Sequence, residues 1–191
     1  MSAPKVLAFA GSTRTGSFNK RLVKVAAAGA REAGAEVTLI DLRDFPMPLY
    51  DGDLEADKGL PEHAVRLKQL FLSHDGLLIA TPEYNSSTPG VLKNAIDWVS
   101  RSAPGESALQ CFVGKTAVLM SASPGGLGGL RSLLHLRVLL SNIHVLVLPD
   151  QLAVSKAHEA FNADGSLKDA KQQAAITRLG AVLTDTLRKL A

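Results

Sequence analysis

Cysteine is nearly missing from this sequence: among 191 residues only Cys111 carries a thiol. One thiol closes no internal disulfide, and without a Cys-x-x-Cys pair or a Cys/His cluster no metal site is expected and a reducing compartment, the cytoplasm, is. Cys111 has no histidine beside it and reads as an inert residue near a strand start. Long apolar runs are lacking too. The first, Val6 to Ala10, is interrupted by Gly11 and Arg14 before it reaches the length of a signal-peptide core. Nothing approaches the ~20 apolar residues of a membrane span, so no membrane partner is expected. A large excess of one charge is the third absence. Lys and Arg number 21 against 18 Asp and Glu, for a net charge of +3. The cations are scattered rather than gathered on one face or interleaved with aromatics, so nucleic acid is not an expected partner. What remains is an ordinary composition, 46% hydrophobic and 20% charged, without repeats, linkers or low-complexity segments. It suits one domain with a sizeable core over residues 1–191.

The most informative stretch is Lys5-Val-Leu-Ala-Phe-Ala-Gly-Ser-Thr-Arg-Thr-Gly-Ser-Phe-Asn19. An apolar strand ends at Gly11, a loop of small hydroxyl residues and one arginine follows, and a helix begins at Phe18 or Asn19. Such a loop leaves backbone N–H groups unpartnered at the positive end of a helix dipole, and Ser12, Thr13, Ser17 and Asn19 add donors while Arg14 adds charge. A lysine is what this loop lacks. Gly11 and Gly16 have the spacing of a triphosphate-binding loop, but Ser17 and Phe18 stand where its lysine and hydroxyl belong. The Gly-x-Gly-x-x-Gly dinucleotide pattern is absent as well. A monophosphate such as that of FMN fits better; the alternative is a serine-rich turn that only caps a helix.

Along the chain, helical periodicity to Gly34 precedes a second strand, Glu36 to Leu42, and a long loop to about Leu60 whose Met47 to Tyr50 could wall a pocket or a subunit contact. A helix over Glu62 to Ser73 leads to Gly76-Leu-Leu-Ile-Ala80, a continuous apolar run typical of a strand buried on both faces. Thr81 to Gly90 is a second loop at a strand end, before a helix Val91 to Ser100. Thr116 to Met120 is a fourth strand. Ser121-Ala-Ser-Pro-Gly-Gly-Leu-Gly-Gly129 is a third small-residue loop, whose glycines suit either close approach to a flat ring or a flexible turn. The helix Leu130 to Asn142 is apolar around most of its circumference, which suits deep burial or a partner subunit. A fifth strand at His144 to Leu148, a turn at Asn162 to Gly165 and a helix Lys168 to Leu190 complete the chain.

Strands alternating with helices predict an α/β doubly wound parallel sheet, and in the flavodoxin-like order 2-1-3-4-5 the three loops meet at the switch point where FMN sits. At these residues the sequence resembles the NADPH-dependent FMN reductase family, particularly its chromate or quinone reductase branch, related to some azoreductases. Gly11 to Asn19, Thr81-Pro-Glu-Tyr-Asn85 and Pro89 to Arg101 carry the resemblance, with weaker similarity at His135-Leu-Arg137 and Ala160 to Gly165.

The resemblance implies that Ser12, Thr13, Arg14, Gly16, Ser17, Phe18 and Asn19 hold the FMN phosphate and ribityl. It places Pro82, Glu83, Tyr84 and Asn85 along the ring, with Ser121, Ala122 and Ser123 approaching from the other side. It implies NADPH or NADH as donor, flavin N5 rather than any side chain as carrier of the hydride, and a ping-pong cycle reducing a small-molecule acceptor. Quinones are the preferred class, with chromate, azo compounds, ferric complexes or free flavin also open. It further implies a homodimer or homotetramer, although Leu134 replaces the aromatic residue many relatives carry before His135. Arg101 is a candidate for attracting an anionic acceptor or the donor's phosphates, or else complements a helix dipole. The rival reading is a flavodoxin-like electron carrier that does not itself oxidise NAD(P)H; a colourless regulator that keeps only the fold is a third class.

Overall fold

The computed structural model describes residues 2–191. Five parallel strands, β1 (Lys5–Ala10), β2 (Glu36–Asp41), β3 (Gly76–Ala80), β4 (Thr116–Ala122) and β5 (Leu146–Val154), form one sheet in the order β2-β1-β3-β4-β5. Helices α1 (Phe18–Glu32) and α7 (Ala170–Leu190) cover one face; α3 (Glu62–Leu72), α4 (Gly90–Ser100) and α5 (Leu130–Asn142) cover the other. Short helices α2 (Gly52–Lys58) and α6 (Ala157–Ala160) lie in the connections.

Side chains alternate across the central strands, so each strand feeds two cores. On β1, Val6 and Ala8 pack with Leu22, Ala26 and Leu183, while Leu7 and Phe9 pack with Leu67, Phe71 and Ile96. Both β3 and β4 are buried throughout, which is why their sequences are apolar runs rather than alternating ones. The α1–α7 crossing is close because it is lined by small residues. A Cβ at Gly180 would run into the backbone of Ala26 and Ala30, and one at Gly29 into that of Thr177.

Some boundaries differ from expectation. β4 continues through Ser121 and Ala122, so the third loop begins at Ser123. β5 starts at Leu146 and runs past Pro149 to Val154, because the sheet absorbs the proline in a register shift between Ala117 and Leu119. The Arg137 guanidinium satisfies the neighbouring carbonyls, donating to Val147 at 3.0 Å and Leu148 at 2.7 Å. The long loop after β2 contains a 3₁₀ turn, Leu42–Asp44, and helix α2. It is pinned to α4: Asn94 Nδ2 and Trp98 Nε1 donate to the Pro48 carbonyl, and Asn94 Oδ1 accepts from Tyr50 N–H at 2.8 Å. Leu190, at the end of α7, is exposed.

Candidate active site

The carboxyl ends of β1, β3 and β4 meet at the switch in strand order, where ligands of open α/β sheets bind. There the structure has a small groove of about 90 Å³. Ser12, Arg14, Ser17, Phe18 and Asn19 line it from the first loop and α1, Pro82, Glu83 and Tyr84 from the second loop, and Ala122, Ser123 and Pro124 from the third. Thr13, Gly16, Asn85 and Ser121 stand elsewhere.

On the first side, α1 begins without an internal cap. Ser17 takes the N-cap position, its side chain makes no capping hydrogen bond, and no acidic residue occupies the first turn. Ser12 and Ser17 are 3% and 5% exposed. Ser12 Oγ accepts from Arg14 N–H at 3.3 Å, which folds the loop back on itself. The Arg14 guanidinium lies over the Phe18 ring at 5.4 Å and donates to the Gly16 carbonyl at 3.0 Å. The loop is shored from outside: Arg43 donates to the Thr13 carbonyl, and Asp41 takes both the Arg43 N–H and the Lys20 ammonium. Burial pushes the Asp41 carboxyl up, but the bond and charge of Lys20, with Arg43, outweigh it and hold it below its ordinary value.

Asn19 lines the groove and also braces it. Its Nδ2 donates to the Ala122 carbonyl at 2.8 Å and its Oδ1 accepts from Ala122 N–H at 2.9 Å, so both ends of the amide pair with the backbone of one residue. It positions the end of β4 against the start of α1.

The second loop makes a two-residue turn: Tyr84 and Ser87 exchange both backbone hydrogen bonds at 3.0 Å, with Asn85 and Ser86 at φ of 49° and 66°. Asparagine tolerates that left-handed region, and the turn leaves Tyr84 53% exposed at the groove rim. The Glu83 carboxylate accepts from the Arg131 backbone N–H at 3.1 Å and from its Nε at 2.8 Å, so it caps α5 and pairs with the helix's first-turn arginine. Behind it, Ser121 Oγ donates to the Thr81 carbonyl at 2.6 Å, and Ser132 Oγ, 3.0 Å from Thr81 Oγ1, donates to the Pro82 carbonyl. Ser121 is fully buried and holds the loop rather than facing the groove.

Sequence reasoning missed Ser132 and Arg131. Ser132 had one signal, a hydroxyl beside Leu133 on the inward side of α5. The glycines of the third loop answer to the protein itself: Gly128 and Gly129 have φ of 63° and 93°, and a Cβ would meet the Ala153–Ser155 backbone at the first and the Ser121 side chain at the second.

Arg101 lies away from the groove. Its Nε donates to both Glu55 oxygens at 3.0 and 2.9 Å, its guanidinium sits 5.5 Å over the Tyr50 ring, and Tyr50 Oη donates to Glu55. Burial raises the Glu55 carboxyl, yet the bonds from Arg101 and Tyr50 outweigh it and hold it low. Cys111 is buried and its thiol is pushed up by that burial to about 11, so it is no nucleophile at neutral pH. Among the described residues no cluster of potential metal ligands occurs, and no helix is long and apolar enough to cross a membrane.

The groove can hold an anion at the open end of α1 with a flat group beside it. Two nearly buried hydroxyls, an arginine and uncapped N–H groups form the anion end. The one carboxylate nearby is already engaged with Arg131. Those features fit a phosphomonoester carrying a planar ring.

The chain is similar to known proteins over most of its length. The chain is 39% identical to an NAD(P)H-dependent FMN reductase of Pseudomonas aeruginosa over 97% of its length and 96% of that protein. It is 38% identical to a quinone reductase of Escherichia coli K12, covering 75% of this chain and 73% of that one. Among solved structures, FerB, a flavoenzyme NAD(P)H:(acceptor) oxidoreductase from Paracoccus denitrificans, superimposes with a TM-score of 0.81 at 32% identity, covering 98% of each chain. The sequence profile of one family matches residues 4–159, and on that match and these relatives the chain belongs to the NADPH-dependent FMN reductase family.

Proposed function

We propose that the groove holds FMN, with its phosphate at the open end of α1 and its ring against Pro82 to Tyr84, and that the enzyme uses it to pass electrons from NAD(P)H to quinones. The observation that carries this is the uncapped start of α1 at the sheet's switch point, in a chain of this family. When bound there, FMN would supply the two-electron chemistry that links a nicotinamide donor to the acceptor.

The protein's part is binding and orientation. Ser12 and Ser17 donate hydroxyl hydrogen bonds to the phosphate, the first-turn N–H groups of α1 add theirs, and Arg14 adds charge. Asn19 fixes the backbone of Ala122 and with it the groove floor. Tyr84 offers an exposed flat wall. At about 90 Å³ the groove is well below the ~300 Å³ at which pockets enclose a small ligand, so it would leave a bound ring partly exposed. Donor and acceptor use the exposed part in turn, which gives ping-pong kinetics. No histidine or cysteine lines the groove, so no obligate acid–base side chain is assigned, and Arg101 is left to its pair with Glu55.

Quinones are preferred because relatives bear that name, among them a 2-hydroxy-1,4-benzoquinone reductase of a Burkholderia species, 34% identical over 86% of both chains. Chromate, azo compounds and ferric complexes stand behind them. The whole chain acts as one FMN-binding unit in the cytoplasm. A second copy covers the outward side of α5, where Leu130, Leu134 and Val138 are exposed. The test is an anaerobic spectrum of the protein with FMN, recorded before and after one equivalent of NADPH and again after a quinone. Bleaching followed by recovery is expected; bound flavin that NADPH fails to bleach would make the protein a carrier instead.

A further inference from the structure

The two helices over one face of the sheet carry a charge that the linear sequence disperses. Exposed on α1 are Arg21, Lys24 and Arg31, and exposed on α7 are Lys171, Arg178 and Lys189. Gly180 packs on Ala26, Thr184 Oγ1 donates to the Ala30 carbonyl at 3.4 Å and the Arg188 guanidinium donates to that of Ala33, so the helices run side by side in one layer. Their sides away from the sheet therefore form one surface. At ~1.5 Å per residue, Lys171 to Lys189 spans roughly 27 Å of it.

Among the described residues none of these six cations forms a salt bridge. Arg31 donates to the Val37 carbonyl at 3.2 Å and Arg21 lies 6.0 Å over the Phe161 ring, contacts that hold the side chains without cancelling their charge. The acids exposed on the two helices are Glu32 and Asp185, and Asp185 is paired with Arg188 at 3.3 Å. At the rim, Asp164 is turned to Ser166 and Asp169 caps α7. The excess on the helices is larger than the +3 of the whole chain, so the remainder is acidic on balance. Part of that acid lies on the opposite side, where Asp51, Asp53, Glu55 and Asp57 stand at α2, which Glu55 ties to Arg101 at the end of α4. The molecule is a dipole with α1 and α7 at its positive side.

The surface is broad, and its outward side chains include no aromatic residue. Single-stranded nucleic acid is held on stacking aromatics, whereas a plane of phosphate headgroups asks only for spread cations. We propose that the outward side of α1 and α7 lays the enzyme on an anionic phospholipid bilayer. Contact of this kind is peripheral and needs no spanning segment. Leu190, 61% exposed at the end of α7 beside Lys189, adds an apolar residue to the contact. Because α1 begins at the groove, the contact brings the groove to the membrane border and favours quinones that dissolve in lipid; that consequence rests on the reading of the groove as the flavin site.

The test is sedimentation of the FMN-saturated protein with vesicles of phosphatidylcholine alone and with about 30% phosphatidylglycerol, at rising salt. Binding to the anionic vesicles should be about tenfold or more tighter than to the neutral ones and should fade as salt is raised. Lys24→Glu/Arg178→Glu should lose that margin, while Lys58→Glu/Lys93→Glu, the same change of charge on the opposite side, should keep most of it. With a long-chain quinone carried in anionic vesicles, KM should rise about tenfold in Lys24→Glu/Arg178→Glu and stay put for a short water-soluble quinone. Equal binding to both kinds of vesicle, no binding to either at low salt, or equal losses in the two double variants overturns the proposal. Tighter binding of a duplex DNA of about 20 base pairs than of the anionic vesicles overturns it in favour of nucleic acid. Failure of the groove reading looks different: a flavin fluorescence titration then shows no FMN binding, and sedimentation of the flavin-free protein still reports on the helical surface.

Discussion

Helices α1 and α5 both begin at the carboxyl edge of the sheet, a few residues from the same groove, and they end their backbones differently. At α5 the protein supplies its own anion, the Glu83 carboxylate, which accepts from the Arg131 N–H and pairs with its guanidinium. At α1 it supplies none: Ser17 leaves its cap bond unmade and the first turn carries no acid. Both ends have the same unpartnered N–H groups and the same dipole. A helix end filled from within needs no ligand, whereas one left open beside two nearly buried hydroxyls and an arginine has room and donors for an anion from outside, as we propose.

The sharpest way to break this contrast is to make α1 resemble α5. Ser17→Asp places a carboxylate at the open end, so FMN affinity should fall roughly 100-fold through competition and like-charge repulsion. The flavin-free protein should meanwhile gain about 2 °C in Tm from the new cap. Fluorescence titration and a thermal melt read both, and unchanged FMN affinity would refute the contrast.

Asn19→Ala comes next. Removing a buried amide that satisfies both backbone polar groups of Ala122 should cost about 2–3 kcal/mol of stability and weaken FMN binding about tenfold by releasing the groove floor. Denaturant unfolding and flavin titration separate the two effects. Stability lost with affinity kept would reduce Asn19 to a packing residue.

Glu83→Gln probes the closed end. It should lower stability by about 1 kcal/mol, since a neutral amide caps less well and leaves Arg131 unpaired. Thermal melts at two salt concentrations check this, with the loss shrinking at high salt.

The smallest effect concerns the brace behind the first loop. Asp41 has its carboxyl held below the ordinary value, so its contribution is complete above the unfolded pKa of ~3.9 and fades as pH falls through the lower folded one. Asp41→Asn should therefore lie below the parent in Tm at pH 7, with the gap closing as the pH falls below the unfolded value and through the lower folded one. A gap independent of pH would assign the effect to hydrogen bonding alone.

What was legible in the sequence is what local pattern encodes. Gly76–Ala80 and Leu130–Asn142 were found at their expected bounds, because a buried strand is an apolar run and a small-residue loop marks where the following helix begins. The meeting of three loops at the switch point followed from strand order. The long-range hydrogen bonds were invisible. Asn19 reaches Ala122 across 103 residues and Glu83 reaches Arg131 across 48, and nothing near Asn19 or Glu83 announces either partner. A polar residue in a ligand loop looks the same whether it serves the ligand or the loop. Pro149 misled in the opposite direction, since a proline that ends most strands is carried here by a bulge at the sheet edge.

The most direct measurement compares FMN with riboflavin, which has the same ring but no phosphate, in fluorescence titrations of the purified protein. If the open end of α1 is the phosphate site, FMN binds roughly 100-fold or more tighter than riboflavin, and the margin shrinks as salt is raised. Equal affinities for the two would contradict the account, because the ring would then be held without the helix end around which the site is arranged.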